Sequence, residues 1–96
     1  MYGEIYEKSG NELVQELGKR FMEYRKQMGF TQKMVAEKSG LSVFTISSFE
    51  SGSLTGISLA SLIKLLRAID CLEEVEKLLP KLPASPKEIF RKSALI

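Results

Sequence analysis

The sequence predicts an all-α domain of five short helices, followed by a short C-terminal extension. Apolar residues recur at the spacing of a helix face, and Ser or Thr residues stand where helices would be capped. Strand signals are absent, because the chain has neither an alternating run of β-branched residues nor an Asn-Gly turn. A chain of 96 residues that is 44% hydrophobic fits one domain with a modest core.

The first helix is predicted to begin after Ser9, because Ser9 and Glu12 have the spacing of a capping box. Gly29 is placed to end this helix, since glycine adopts the left-handed conformation without steric cost. Apolar residues at helical spacing are expected on its buried face. They are Leu13, Val14, Leu17, Phe21, Tyr24 and Met28.

The next three helices are each predicted to begin after a hydroxyl residue that can cap them, namely Thr31, Ser42 and Ser58. Each cap is surrounded by an apolar pair with the spacing of a hydrophobic staple. The pairs are Phe30 with Val35, Leu41 with Ile46, and Ile57 with Leu62. We expect the second helix to end at Gly40 and the third to end before Gly52.

The fourth helix is rich in leucine and is expected to end near Ile69. A fifth helix is predicted over residues 72–79, because Pro80 cannot continue it. The chain is therefore expected to have two parts. Residues 1–79 form the helical domain, and residues 80–96 form a proline-containing linker with a basic tail.

The positive charge of the chain is concentrated in this tail. Residues 1–80 carry ten Lys or Arg against eleven Asp or Glu, whereas residues 81–96 carry four against one. A nucleic-acid binder usually shows a basic footprint, so a nearly neutral body must gather its few cations on one face. The tail also contains a helix start signal, a Ser-Pro pair followed by Glu, which predicts a short helix over residues 86–93.

The composition argues against several classes of function. Histidine is absent, so the commonest metal ligand and the commonest general base are both missing. The single Cys71 cannot form an internal disulfide, which fits a reducing cytosol. No apolar run approaches the ~20 residues of a membrane span, and no signal-peptide pattern opens the chain. We expect a cytoplasmic protein that is not an enzyme and has no cofactor, metal or membrane partner.

Residues 31–52 contain the pattern that bears on function. Two short helices are joined by a tight turn at Gly40, and Ala36 supplies a small residue where they cross. Apolar residues are spaced to hold the second helix from beneath, and they are Val35, Leu41, Ile46 and Phe49. This spacing is typical of a helix-turn-helix, although a plain helical hairpin with no nucleic-acid role has the same outline.

Residues 17–69 resemble the Cro and phage-repressor (XRE) family of helix-turn-helix regulators. The positions that match are Leu17, Gly18, Arg20, Arg25, Gly29, Thr31, Gln32, Ala36, Gly40, Ser42, Thr45, Ile46, Ser47, Glu50 and Gly52. The resemblance implies a five-helix repressor-like DNA-binding domain. It also implies sequence-specific binding of double-stranded DNA by a dimeric transcriptional regulator, most simply a repressor.

The resemblance further implies that residues 42–51 form the recognition helix, which lies in the major groove. Its outward residues are expected to be Ser42, Val43, Phe44, Ser47 and Ser48. Relatives often carry Gln, Arg or Lys at several of these positions, and those side chains bond base edges where Val and Phe cannot. The apolar, hydroxyl-bearing surface of this chain suits thymine methyl groups. The alternative is a degenerate domain that binds protein instead of DNA.

Phosphate contacts are implied at the start of the second helix, by Thr31, Gln32 and Lys33, where free N–H groups and the helix dipole favour an anion. Ser51 and Ser53 occupy the loop that follows the DNA backbone in the family. The cations expected to reach phosphate are Arg20, Lys33 and Lys38.

Arg25 and Glu50 stand at positions that form a partly buried ion pair in the family. The resemblance therefore implies that this pair links the first helix to the recognition helix. We expect a structural role for Arg25 rather than direct contact with DNA.

The fourth and fifth helices have more large aliphatic residues than one face of a small bundle needs, so part of their surface is expected to meet a partner. These residues are Leu59, Leu62, Ile63, Leu65, Leu66, Ile69, Leu72, Val75, Leu78 and Leu79. A homodimer is the first expectation. A faint resemblance of residues 72–90 to HipB-like antitoxins suggests a toxin protein as an alternative partner. The basic tail would suit either toxin docking or a flexible DNA-contacting arm.

Overall fold

A computed structural model describes residues 3–83 and shows an all-helical domain. A 3-10 helix at Glu4–Glu7 precedes five α-helices, and no strand occurs within the described residues. The α-helices are α1 (Gly10–Gln27), α2 (Gln32–Ser39), α3 (Val43–Ser51), α4 (Leu59–Ala68) and α5 (Glu74–Leu78). The predicted fold class is confirmed. No helix within residues 3–83 has both the length and the apolar character needed to cross a membrane.

The first four α-helices begin at the predicted caps. Ser9 Oγ accepts from the Glu12 N–H (3.1 Å), and the Glu12 carboxylate accepts from the Ser9 N–H (3.4 Å), which completes the capping box. Thr31, Ser42 and Ser58 each accept from the N–H three residues later, at 3.0–3.1 Å. Local sequence therefore sets the start of each of these helices.

The core lies between α1, α2, α3 and α4. Its buried residues are Phe21, Val35, Ile46, Phe49, Leu62, Leu65, Ala68, Ile69 and Cys71. α1 packs on α3, and α2 packs on both α3 and α4. The rings of Phe21 and Phe49 meet at a centroid distance of 5.8 Å and an interplanar angle of 50°. Because the inner face of α3 is enclosed in this way, its opposite face points away from the domain.

The predicted buried face of α1 is wrong at its C-terminal end. Tyr24 and Met28 are 55% and 45% exposed, and the buried residues of α1 are Gly18, Phe21 and Arg25. Arg25 takes the inward position one turn after Phe21 because Glu50 on α3 neutralises its charge there. Helical spacing of apolar residues predicts which face of a helix is buried. It does not predict that a charged residue such as Arg25 is buried there through an ion pair with another helix.

The fifth helix is shorter than the predicted residues 72–79. Asp70 adopts a left-handed conformation (φ 61°) after α4, and the chain then turns before α5 begins. α5 is consequently only five residues long. The 3-10 helix was not predicted, and no side chain caps its start. The terminal helix predicted over residues 86–93 lies outside the described residues.

The contact between α1 and α3 is closest at Gly18. A Cβ atom at this position would overlap the carbonyl oxygen of Phe49 and also lie 2.9 Å from its carbonyl carbon. Backbone atoms cannot move aside as a flexible side chain can, so glycine is required if the two helices are to approach this closely.

Gly18→Ala is expected to destabilise the protein. In most helix interiors the same change stabilises, because alanine is more favourable there than glycine by about 1 kcal/mol. We expect the overlap with Phe49 to outweigh that gain, with a net loss of about 1–3 kcal/mol, as overpacked cores show. Denaturant unfolding of the variant measures the loss. Gly10→Ala is the matched control in the same helix, because no atom lies within 4 Å of its Cβ position. Equal stability of the two variants would contradict the close approach.

Candidate nucleic-acid interface

The turn between α2 and α3 is built from local hydrogen bonds. Gly40 ends α2 in the left-handed conformation (φ 78°), and its N–H donates to Ala36 O at 2.9 Å. The Leu41 N–H donates to Ser39 Oγ at 3.1 Å, and Ser42 then caps α3. The turn is therefore short and has internal partners for its polar groups, which fixes the angle at which α3 leaves α2.

The outer face of α3 is apolar and hydroxyl-bearing. Phe44 is 79% exposed and Val43 is 42% exposed, whereas Ile46 and Phe49 on the opposite side are fully buried. Ser42 and Ser47 are exposed, and Ser48 is half-buried. The predicted outward set thus shares one side of α3, with Ser48 at its edge.

The predicted ion pair between α1 and α3 is present and is nearly enclosed, since Arg25 and Glu50 are each 6% exposed. Arg25 Nε donates to Glu50 Oε2 at 2.6 Å, and Nη2 donates to Oε1 at 2.8 Å. The third guanidinium nitrogen, Nη1, donates to Phe30 O at 2.9 Å. This bidentate hydrogen bond to Glu50 raises the pKa of Arg25 above its ordinary value, although burial opposes the rise.

Gln32 joins the same network. Its Nε2 donates to Glu50 Oε1 at 3.0 Å, and the residue is half-buried. The side chain therefore supports the ion pair from the first turn of α2. The Met34 N–H donates to Thr31 Oγ1. The N–H groups of Gln32 and Lys33, which precede it, have no acceptor within the helix and favour an anion at this end.

A shallow depression lies beside this helix end and is rich in cations. Its lining consists of Arg25, Lys26, Gly29, Phe30, Thr31, Gln32, Lys33 and Val43. Glu50 neutralises the charge of Arg25, so Lys26 and Lys33 supply the positive charge of the depression, and no lining residue is acidic. This surface favours an anion. Val43 belongs to the start of α3, so the cationic surface adjoins the apolar outer face. Lys26 is not among the cations that the sequence predicts to reach phosphate, yet it lines this depression. The feature of the sequence that could have identified Lys26 is its position in the last predicted turn of α1, just before Gly29.

The sequence pattern of the helix-turn-helix family matches residues 21–76, more than half of the chain. The chain belongs to this family. It is a DNA-binding transcriptional regulator of the XRE type, which agrees with the turn and the exposed α3 described above. Neither a curated protein nor a solved structure matches the chain significantly.

In this helix-turn-helix domain, Ser51 and Ser53 already use their hydroxyl groups internally. Both lie within hydrogen-bond distance of Ser48 O, at 3.2 and 3.3 Å, and their oxygens are 2.9 Å apart. Each hydroxyl has one proton to donate. A phosphate oxygen only accepts, so either hydroxyl must rotate away from its present partner before it can bond the DNA backbone.

The three cations predicted to reach phosphate lie in different surroundings within the helix-turn-helix domain. Lys33 lines the cationic depression, whereas Lys38 Nζ lies 4.2 Å from the centre of the Phe30 ring. A cation over an aromatic face is attracted to it, so Lys38 packs against the domain. Arg20 lines a separate groove between α1, α4 and α5.

Arg25→Ala is expected to lower the free energy of unfolding by about 3–5 kcal/mol, since it leaves Glu50 buried without a partner. Thermal and denaturant unfolding measure this loss, and DNA affinity should fall as a secondary effect. Lys26→Ala is the control for removal of a cation from the same helix turn, because Lys26 is exposed and has no part in the pair. A parent-like melting temperature for Arg25→Ala would mean that the ion pair contributes nothing to stability.

Proposed function

We propose that the protein is a sequence-specific transcriptional repressor that binds double-stranded DNA as a homodimer, with α3 in the major groove. The observation that carries the proposal is the exposure of Phe44, at 79%, on the outer face of a helix whose inner face is buried. A large aromatic residue so exposed in a small domain indicates a binding surface. In a helix-turn-helix, that surface is the one the second helix offers to base edges.

The chemistry of the outer face favours contacts with A·T base pairs. Val43 and Phe44 suit the thymine methyl group, which only the major groove presents. Ser42, Ser47 and Ser48 supply hydroxyl groups that bond donors and acceptors alike. Ser42 Oγ lies 2.9 Å from Thr45 Oγ1. When Thr45 donates across this contact, the Ser42 proton is free for a base or a phosphate.

The remaining proposed contacts are made to phosphate and set the register of the domain on DNA. Thr31, Gln32 and Lys33 would bind a phosphate at the start of α2, with Lys26 on the rim of the same depression. Gln32 would act partly through its backbone N–H, since its side chain bonds Glu50. Ser51 and Ser53 would bind the backbone beyond α3 after their hydroxyl groups rotate.

Phe44→Ala is expected to reduce the preference for the operator over unrelated DNA while leaving the melting temperature close to that of the parent. The loss of one well-placed base contact corresponds to about 1–3 kcal/mol of discrimination. The operator is first selected from a random DNA pool, and binding to it and to a scrambled site is then compared at fixed salt. Tyr6→Ala removes an aromatic side chain of similar exposure (73%) outside α3 and serves as the control. Unchanged discrimination in Phe44→Ala would exclude the proposed role of this side chain.

The proposed dimer has two supports in the described residues. Large apolar side chains are exposed on α4 and at the end of α5, with Leu59 at 62%, Leu78 at 59% and Leu79 at 89%. The body of the domain is also nearly neutral, so one copy attracts DNA weakly. Two copies reading half-sites about 34 Å apart, one turn of DNA, would supply the missing affinity.

Leu78→Glu combined with Leu79→Glu is expected to convert the dimer into a monomer and to weaken operator binding. In the proposed dimer, carboxylates at these two positions would be buried against the apolar surface of the partner copy. Burial without a partner would require their desolvation, which is unfavourable. Analytical ultracentrifugation over a range of concentrations, with and without DNA, measures the oligomeric state. Met34→Glu, on the 40%-exposed Met34 of α2, is the control and should remain dimeric. A parent protein that sediments as a monomer under every condition would exclude the homodimer.

An antitoxin that binds a toxin protein and represses its own operon is the second candidate function. It is favoured by three exposed leucines within five residues at the end of α5 and just beyond it, namely Leu78, Leu79 and Leu82. A toxin gene beside this one, and a stable complex of the two purified proteins, would support this candidate. In that case, the leucine variants would lose the toxin and keep the homodimer.

A further inference from the structure

The outer face of α3 lacks the side chains that distinguish base pairs by their hydrogen-bonding edges. Arginine, lysine, asparagine, glutamine and the carboxylates make these selective bonds in the major groove. Of these residue types, α3 contains only Glu50, which is 6% exposed and is bonded to Arg25 and Gln32. The face that α3 offers to a base pair is therefore made of apolar and hydroxyl-bearing side chains alone.

The hydroxyl groups of this face do not separate thymine from cytosine. In the major groove, thymine presents the O4 acceptor and cytosine presents the N4 amino donor. A serine hydroxyl both donates and accepts, so it can rotate to suit either group. Within residues 3–83, the hydroxyl groups of Ser47 and Ser48 have no hydrogen-bond partner that would prevent this rotation.

Selectivity on the outer face of α3 consequently depends on Val43 and Phe44. The two residues are neighbours in the first turn of α3, and they are 42% and 79% exposed. Their side chains form no hydrogen bond, so their contact with a base is favourable where it covers an apolar group. The apolar group that thymine places in the major groove is the methyl group on C5.

We propose that α3 selects the C5-methyl group of a pyrimidine and not the base that carries it, so that 5-methylcytosine is bound in place of thymine. 5-Methylcytosine has the same methyl group at the same place in the groove and keeps the hydrogen-bonding edge of cytosine. The serine hydroxyl groups accept that edge, while Val43 and Phe44 cover the methyl group of either base. The inference rests on the proposed function, because it concerns the same contact between α3 and the major groove.

The opposite strand does not exclude 5-methylcytosine either. A side chain that bonded adenine through both N6 and N7 would reject the guanine that pairs with 5-methylcytosine. Asparagine and glutamine make this contact, and α3 contains neither. Gln32, in the first turn of α2, uses its amide Nε2 to bond Glu50. Methylation of a cytosine would therefore raise the affinity of its site without a change in base sequence.

Modified operators test the inference with the full-length protein at fixed salt. The operator is selected from a random DNA pool, and each thymidine is then replaced by deoxyuridine, which removes only the methyl group. We expect about a fourfold loss of affinity at a contacted position, the effect of one buried methyl group. At that position, a pair of 5-methylcytosine with guanine should bind about as well as the original pair. An unmethylated cytosine should bind about fourfold more weakly.

Variants of α3 assign the methyl contact to its side chains. Phe44→Ala should bind thymine and deoxyuridine with similar affinity at a methyl-sensitive position, because the apolar cover is lost. Phe44→Leu keeps an apolar side chain and should restore most of the difference. Tyr6→Ala, which removes an exposed aromatic side chain outside α3, should retain the difference shown by the parent. Thermal melting verifies that each variant is folded.

Several results would overturn the inference. If the operator is bound but deoxyuridine has no effect at any position, no methyl group is read, and the proposed function stands. If 5-methylcytosine binds as weakly as cytosine at a methyl-sensitive position, the edge of thymine is required. If the effect of deoxyuridine persists in both Phe44→Ala and Val43→Ala, other residues make the contact. Failure to enrich any DNA from the pool would instead exclude the proposed function, and this inference with it.

Discussion

The bidentate contact between Arg25 and Glu50 sets the position of α3 on the domain. Both charges are almost fully enclosed, so each is tolerated only because the other is present. The same guanidinium bonds the carbonyl group of Phe30, and the same carboxylate accepts from Gln32. One charge pair therefore joins α1, the loop before α2, the first turn of α2 and α3.

The close approach at Gly18 complements this pair. The ion pair fixes α3 near the C-terminal half of α1, and the absence of a side chain at Gly18 lets the backbone of Phe49 come into contact about two turns of helix earlier. Further along, Gln15 Nε2 donates to Gly52 O at 3.1 Å. These three contacts lie along one side of α1 and all hold the C-terminal end of α3, at residues 49–52. They fix the direction in which the outer face of α3 is displayed.

Most of the fold follows from local sequence, which is why it could be predicted. Ser9, Thr31, Ser42 and Ser58 each bond an N–H three residues away, a contact that spacing alone reveals. The turn at Gly40 is equally local. The ion pair spans 25 residues, and its prediction came from the family resemblance, since neither composition nor periodicity indicates it.

The features that escaped prediction depend on which elements meet in three dimensions. Tyr24 and Met28 fit an apolar helical face, yet neither is buried in the described domain, and Arg25 lies inward instead. Gln32 could be placed at a helix start, but its bond to Glu50 required the position of α3. Lys26 lies at the candidate site because the end of α1 is beside the start of α2, an arrangement that the sequence does not show.

The setting of Cys71 has a consequence for how the protein meets oxidants. The residue is 8% exposed, its sulfur lies 3.5 Å from Ile69 O, and burial together with nearby carboxylates raises the pKa of the thiol. Oxidation and disulfide exchange proceed through the thiolate, which this environment disfavours. The thiol of Cys71 is therefore expected to react slowly with peroxide and with disulfides such as oxidised glutathione. We therefore expect that copies of the chain, if they associate, do so without a disulfide through Cys71.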